Sequence, residues 1–592
     1  MEERWTVYGK RADFQAIGEK FGIDPVIARV IRNRDVCGDD AIQTFLYGGL
    51  EGTHEPELMA DMDKGCRIII DKIRTGRKLR IISDYDVDGV MSNYILLDGL
   101  KRAGADVSYE IPDRMMDGYG INERIINDAA ADGIDTIITC DNGIAAFGAI
   151  ELAKSKGMTV VVTDHHEIPY EPCEDGNRSY KMVPADAVID NKRADCGYPF
   201  KGLCGAGVAY KFIRALHAGL GLDWEDEDRY LDMLAIATVC DVMELTDENR
   251  IYVKYGMKVL ERTKNIGLKS LLLVNNLYGR EIKAYHLGFV IGPCINATGR
   301  LESAKQGLEL LLEEDEQKAL ARAQELLTIN CTRKDMTNRG VDEAVALVKE
   351  HYMKDNVLVL YMPKLHESLA GIVAGRVREL FYKPVLIVTD AGENMLKGSG
   401  RSIEGYHMFD ALTECRELLT KFGGHELAAG FSLERDKLED LRRMLNEKQR
   451  LTEDDLTPVV RLDVAMPIGY ITEKLVRELD LLEPFGKGNE KPLFGQSGLR
   501  IKKAVLLGQE KRFIKIFFMD AQGYTIEAMD FNANKFIETI KMWFTDEECD
   551  RMFKGLSNNI RLDVAYYPDI NEYNGRSTIQ IKPVAYRRHN EE

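Results

Sequence analysis

From about residue 61 to 300, short apolar runs alternate with helical patterns. The runs are LRIIS (79–83), DVSYEI (106–111), DTIIT (135–139), TVVVT (159–163) and DAVID (186–190). Their spacing of roughly 25 residues leaves room for a helix between successive strands, the pattern of βαβ units in a doubly wound parallel sheet. Residues 1–60 read as a mostly helical lead-in. Residues 301–350 are rich in Leu, Glu, Ala and Lys at helical spacing and predict a long connecting helix. A second α/β stretch covers 351–450, with NVLVLYM and KPVLIVTD as its strands. Residues 455–592 then alternate in RIKKAVLLG, FIKIFFMD, YTIEAMDF, NIRLDVAYY and STIQIKPVAY, which predicts a small OB-like β-barrel. The expected fold class is therefore α/β: a doubly wound parallel-sheet domain, a smaller α/β domain joined by a long helix, and a C-terminal barrel.

Composition narrows the setting. At 592 residues, 45% hydrophobic and 30% charged, the chain reads as an ordinary globular protein divided among several cores. No apolar run reaches the roughly 18 residues a membrane helix needs, and MEERWTVYGK has no signal-like stretch, so the reading is a cytoplasmic protein with no membrane partner. Eleven cysteines include no C-x-x-C pair, which argues against a disulfide framework or zinc ribbon and for reduced thiols used as packing residues. The net charge of −18 disfavours a broad basic face for duplex nucleic acid. It suits a site that gathers carboxylates around cations, and local Lys, Arg and backbone N–H groups remain free to bind phosphate.

The chemistry lies where the predicted strands end. IISDYDVDG (81–89) runs from a strand into Asp84, Asp86 and Asp88. In an extended segment residues two apart point the same way, so these anions converge and call for a cation. Read alone, the motif could be a solvated acidic turn. TIITCDNG, however, places Asp141 directly after the third run, and VVVTDHHE places Asp164, His165 and His166 at the end of the fourth. A further carboxylate, Asp241, follows LDMLAIATVCD. Oxygen ligands with one or two imidazoles suit a pair of Mn²⁺ or Mg²⁺ ions, about 3.5–4 Å apart, rather than structural zinc.

In order, DYDVDG, CDNG, DHH and CDVMELTDENR resemble motifs I to IV of the DHH phosphoesterases. The resemblance implies that Asp86 and Asp88 each bind a metal, that Asp141 bridges the pair, and that His165 and Asp241 complete the ligand set. It makes Asp84 a ligand or a supporting group and gives His166 the scissile phosphate.

Further segments bear on the substrate. PDRMMDGYG (112–120) offers Arg114 for phosphate and Tyr119 for stacking, or else is a Gly-rich turn with a surface arginine. LCGAGVAYK (203–211) puts small residues at a helix start, either to face an anion or for close packing. GPCINATGRLES (292–303) resembles a signature of the RecJ-type exonucleases, in which Arg300 meets the nucleic-acid backbone. Cys294 stands where relatives commonly carry arginine, removing one basic contact there. LHESLAGIVAGRV, KGSGRS and GGHELAAGF resemble the DHHA1 domain of that family, although the tryptophan often found before His366 is missing. By this resemblance Ser399 and Arg401 hold a phosphate, and Gly424 opens a helix whose N–H groups, with His425, grip another. EPFGKGNEKPLF (483–494) resembles the entry to the family's OB domain.

The resemblance implies a single-strand-specific DNA exonuclease working from the 5′ end. It would act as a monomer in repair and recombination, with single-strand binding protein and a helicase as candidate partners. The alternative within the superfamily is a hydrolase of short oligonucleotides or cyclic dinucleotides. Such an enzyme has no use for the β-rich C-terminal domain. A haloacid-dehalogenase phosphatase would also read DYDVDG as D-x-D, but has no reason to place DHH at a later strand end.

Overall fold

The computed structural model describes residues 3–113, 120–172, 178–224, 226, 228–392, 394–573 and 575–590. The chain forms two compact units, Gly49–Leu456 and the paired segments Met1–Gly48 and Thr457–Glu592.

In the larger unit, β1 (Lys78–Ser83), β2 (Asp106–Glu110), β3 (Thr136–Cys140), β4 (Thr159–Asp164) and β5 (Ala187–Asp190) form one parallel sheet, ordered β2-β1-β3-β4-β5. Side chains alternate between two cores. Ile81, Ile138, Val161 and Ile189 pack with α1 (Met62–Arg74), α2 (Val87–Arg102) and α5 (Gly205–Leu220). Ile82, Ile137, Val160 and Val188 pack with α3 (Glu123–Ala131) and α4 (Phe147–Ser155). Helices on both faces make the sheet doubly wound, as the spacing of the runs required. The direction of winding reverses between β1 and β3, and such a reversal opens a crevice at the carboxyl ends of the strands. Register decides what enters that crevice. Ser83 lies opposite Cys140, Cys140 opposite Thr163, and Asp164 opposite Asp190, so three neighbouring strands stop at one level.

Beyond the sheet come α6 (Leu231–Cys240), α7 (Gly292–Leu301) and the long α8 (Glu316–Leu347). The connecting segment is not one helix from 301. Lys305–Leu312 forms a separate short helix, and α8 starts afresh where the Asp315 carboxylate accepts the amides of Gln317 and Lys318. Such a cap satisfies amides that a continuous helix would not expose.

The second sheet is ordered β9-β10-β8-β7-β6, from β6 (Leu358–Tyr361), β7 (Val385–Asp390), β8 (Met395–Arg401), β9 (Lys421–His425) and β10 (Ala428–Glu434). Here one expectation fails: Gly423 and Gly424 do not open a helix but lie within β9. They belong to a hairpin in which His425 pairs with Ala428, and a Cβ on Gly424 would come within 2.4 Å of the Ala428 carbonyl oxygen. The glycines serve a close strand approach, so this segment has no helical N–H cradle.

The smaller unit is built on a barrel of β11 (Phe494–Leu507), β12 (Phe513–Met519), β13 (Thr525–Asp530), β14 (Arg561–Tyr573) and β15 (Arg576–Arg588). Antiparallel pairing of β11 with β14 and parallel pairing of β13 with β15 close it. Ile514, Ile516, Phe518, Leu562, Val564 and Ile581 fill the interior. The N-terminal segment joins this unit: Arg4–Val7 is a strand parallel to Val459–Leu462, and Arg34 forks onto the buried Asp463 carboxylate at 2.7 and 3.1 Å. A buried charge left without its partner costs about 3–5 kcal/mol. Arg34→Met should therefore lower the barrel unit's calorimetric transition by about that much, and Arg34→Met with Asp463→Asn should recover part of the loss.

Candidate metal centre

Each acidic motif enters the crevice from a strand or helix end. After β1 the chain turns at Asp84 and starts α2, whose N-cap is Asp86; its carboxylate accepts the Gly89 amide at 3.0 Å. Asp88, in the first turn, points inward and is buried. Asp141 follows β3 with φ +58°, a left-handed conformation that aspartate tolerates better than most residues. Asn142 braces the turn, its amide donating to the carbonyls of Ile82 and Cys140 on adjacent strands.

The helix start at 203–211 faces an anion, and that anion is the protein's own. Gly205 N–H donates to Asp88 Oδ2 at 2.6 Å, and Ala206 N–H to Oδ1 at 2.8 Å. The glycine also permits close packing, since a Cβ at 205 would sit 2.7 Å from Asp141 Cβ. Both readings of this segment hold together. The N-terminus of α5 fixes Asp88 with the hydrogen bonds and partial positive charge that helix starts offer anions.

His165 ties the ends together. Its Nε2 lies 3.0 Å from Asp141 Oδ1, 3.6 Å from Asp88 Oδ2 and 3.7 Å from Asp241 Oδ2. The possible ligand atoms fall into overlapping sets, each within 4.8 Å: Asp84, Asp86 and Asp141; Asp88, His165 and Asp241; Asp141, His165 and His166. Asp141 and His165 each belong to two sets.

The electrostatics describe a pocket short of positive charge. Burial, and then the charges of Asp88, Asp86, Asp84 and Asp241, push Asp141 well above the usual carboxylate range. Asp241 is pushed up to about 8 by burial and by Asp88 and Asp86. Burial raises Asp88 as well, against the pull of His165 and the two α5 amides. Burial holds the His165 imidazole down to about 4. Carboxylates that repel one another this strongly keep protons or take cations. With hard oxygen donors, imidazole and no thiolate among these sets, the residues fit Mn²⁺ or Mg²⁺.

The sequence motifs gave Asp164 a place at the strand end but no role. It is fully buried and accepts the Ile144 and His165 amides at 2.9 and 2.8 Å. It also holds His166 Nδ1 at 2.7 Å. Burial alone would depress His166, but the bond and charge of Asp164 outweigh it and lift the imidazole to about 9. His166 is thus a half-exposed cation at the mouth of an anionic pocket. The signal was present, since the acid heads the DHH triplet. Asp190, opposite Asp164 in the sheet, is likewise buried and pushed up to about 8 by burial and by Asp164.

Of the expected phosphate contacts, Arg114 and Tyr119 lie outside the described residues. Ser399 and Arg401 converge at the start of α9 (Ala370–Phe381): a Cβ on Gly371 would meet Arg401 Nη2 at 2.8 Å and Ser399 Oγ at 2.9 Å. Arg401 donates to Ser399 Oγ and the Gly400 carbonyl, and among the described residues no carboxylate pairs with it. Arg300 reaches the same turn, its Nη1 donating to the Ser368 carbonyl at 2.7 Å. His425 is exposed and sits in register with Ala428 and Arg401, on one face of the sheet two strands away. Cys294 is fully buried against the Val290 carbonyl and the Asn330 amide, away from any solvent-borne strand.

These shifts set a pH dependence. In the metal-free protein Asp241, Asp190 and Asp141 keep protons that the unfolded chain releases near its ordinary value of 3.8, so stability falls as pH rises toward about 8. His166 acts in the same direction, losing its contribution as pH rises through about 9. Thermal melts in EDTA should therefore drop between pH 6.5 and 8, a window above the range in which His165 titrates, and Mn²⁺ should remove most of the drop. A metal-free melting point that climbs over that window would contradict the geometry.

Known proteins resemble this chain along nearly its whole length. Residues 78–238 match the DHH family, N-terminal domain; 354–450 the DHHA1 domain; and 462–584 the RecJ OB domain. The single-stranded-DNA-specific exonuclease RecJ of Bacillus subtilis is 32% identical, over 98% of this chain and 70% of that protein. Its namesake from Escherichia coli is 31% identical, over 94% and 95%. The crystal structure of RecJ with Mn²⁺ from Thermus thermophilus superposes with a TM-score of 0.81 at 26% identity, covering 99% of this chain and 80% of that one. The Mg²⁺ form gives 0.75 at 25% identity, over 99% and 79%. By these matches of domains and of nearly the whole length, the chain belongs to the RecJ family of DHH/DHHA1 phosphoesterases.

Proposed function

We propose that the chain hydrolyses phosphodiester bonds of single-stranded DNA from the 5′ end, releasing mononucleotides, in repair and recombination. The observation that carries this reading is the convergence of Asp84, Asp86, Asp88, Asp141, His165 and Asp241 in one crevice. Its relatives are named as single-stranded-DNA-specific exonucleases, and the related crystal structures are complexes with Mn²⁺ and Mg²⁺. The 5′ polarity follows from family resemblance.

In this reading residues 61–300 are the catalytic domain, 351–450 close over the substrate, and 455–592 hold the strand. Asp84, Asp86 and Asp141 would hold one divalent ion and Asp88, His165 and Asp241 the other, with Asp141 shared. Such a pair supplies activation of water and neutralisation of charge on the reacting phosphate. The protein's own groups do the rest. The α5 amides keep Asp88 from turning away, and Asp164 holds His166 protonated at the mouth of the pocket, where it can meet a phosphate oxygen. Ser399 and Arg401, with Arg300 and His425, offer donors for the terminal phosphate, Arg401 as a planar fork. Arg114, Tyr119 and the barrel would add contacts to the strand.

The test is an end-label assay with 5′- and 3′-labelled oligonucleotides, single and double stranded, in Mn²⁺, Mg²⁺ or EDTA. Labelled mononucleotide should appear at once from the 5′ end of the single strand only, and only with metal. Release from the 3′ end would overturn the polarity. A dinucleotide hydrolysed better than the long strand would favour the short-substrate reading. Asp141→Asn keeps the shape and the left-handed backbone but removes the charge. It should cut turnover by at least about a thousandfold, the worth of several kcal/mol of charge stabilisation. Its circular dichroism should match the parent's.

A further inference from the structure

One exposed feature near the metal centre has no part in the chemistry above. Tyr285 and Phe289 are 64% and 66% exposed, and their rings stack on each other with centroids 5.1 Å apart and planes 20° from parallel. Two large rings held face to face in water form a patch rather than a stray surface residue, and such patches mark binding sites.

Their position gives the patch a direction. They stand on a helical run that begins at Ala284, passes through a π-helical turn at Leu287–Ile291 and continues as α7 to Leu301. Inserted π turns are rare and are frequently found at functional sites. The run is pressed onto the end of α6: a Cβ on Gly292 would lie 2.2 Å from Cys240 Sγ, and one on Gly288 3.3 Å from Val239 Cγ1. Asp241 caps α6 directly after Cys240, so the helix bearing the rings packs against the element that delivers a metal-site carboxylate. The outward stripe of the run reads Tyr285, Phe289, Pro293, Asn296 and Arg300, while the residues between them are largely buried. The stripe therefore joins the rings to Arg300, which reaches the turn before the Ser399–Arg401 pair. Exposed Arg280 precedes the rings, adding positive charge at that end.

We infer that Tyr285 and Phe289 form a base-stacking platform for the single strand, on the side of the metal centre away from the terminal phosphate. The inference rests on the single-strand reading above and extends it to a subsite. Phe289 precedes Arg300 by a rise of ~16 Å at 1.5 Å per residue. That matches about five nucleotides at 3.4 Å each, fewer in an extended strand. Every base has a π-face, so such a platform holds any sequence, which an exonuclease that must step along its substrate requires.

The experiment compares kcat/KM of the full chain and a Tyr285→Ser/Phe289→Ser variant on a long single strand and on a dinucleotide, with Mn²⁺. The ratio of long-strand to dinucleotide kcat/KM should fall about tenfold in the variant, chiefly through KM. A Tyr285→Phe/Phe289→Tyr variant, which keeps both rings, should retain the parent ratio. Abasic sites beyond the first nucleotides should weaken the parent on the long strand and leave the ring-less variant indifferent. An unchanged ratio in the ring-less variant, with the parent active on single strands, overturns the platform alone. So does an unchanged ratio accompanied by altered self-association, which would make the patch a protein contact. A parent inactive on single strands overturns the functional reading and the platform together.

Discussion

Carboxylates packed together in a buried crevice are stable only if something positive or protic sits among them. Asp88 and Asp141 are buried, and each is raised by burial and by other acids of the same pocket. The fold spends few cations on them. It holds Asp88 with two backbone amides and leaves the remaining charge to be met from outside. The same imbalance fits the pocket to receive metal ions and makes it sensitive to pH.

The crevice exists because of strand register. Ser83, Cys140 and Thr163 end side by side, so the residues that follow have nowhere to go but the space above the sheet. The reversal of winding between β1 and β3 opens that space, and α5 and the end of α6 wall it. Asp164 works from behind. Buried and bonded to its neighbours, it holds His166 as a cation at the mouth, while burial keeps His165 neutral among the acids. Two identical side chains thus acquire different roles from burial and one hydrogen bond.

The parallel sheet and its acidic ends were legible because both signals are local: a β-branched run stops, and an Asp or His follows. LRIIS before Asp84 and TVVVT before Asp164 need no distant partner to be recognised. Features set by distant pairing were not legible. Nothing local in RWTV reveals its partner at Val459–Leu462, nor in Arg34 that it meets Asp463. Gly423 and Gly424 looked like a helix start because glycine serves helix starts and tight strand approaches equally; only the pairing with Ala429 and Gly430 decides between them. Nothing local marks Tyr285 and Phe289, since exposure is a property of the folded surface.

Binding of a pair of divalent ions in this one crevice is what the proposed chemistry requires. Electron paramagnetic resonance during titration of the metal-free chain with Mn²⁺ tests it directly. The expected result is a spin-coupled signal from two ions about 3.5–4 Å apart, complete at two equivalents and lost in Asp141→Asn. A spectrum of isolated ions only, or a coupled pair that survives that substitution unchanged, would contradict it.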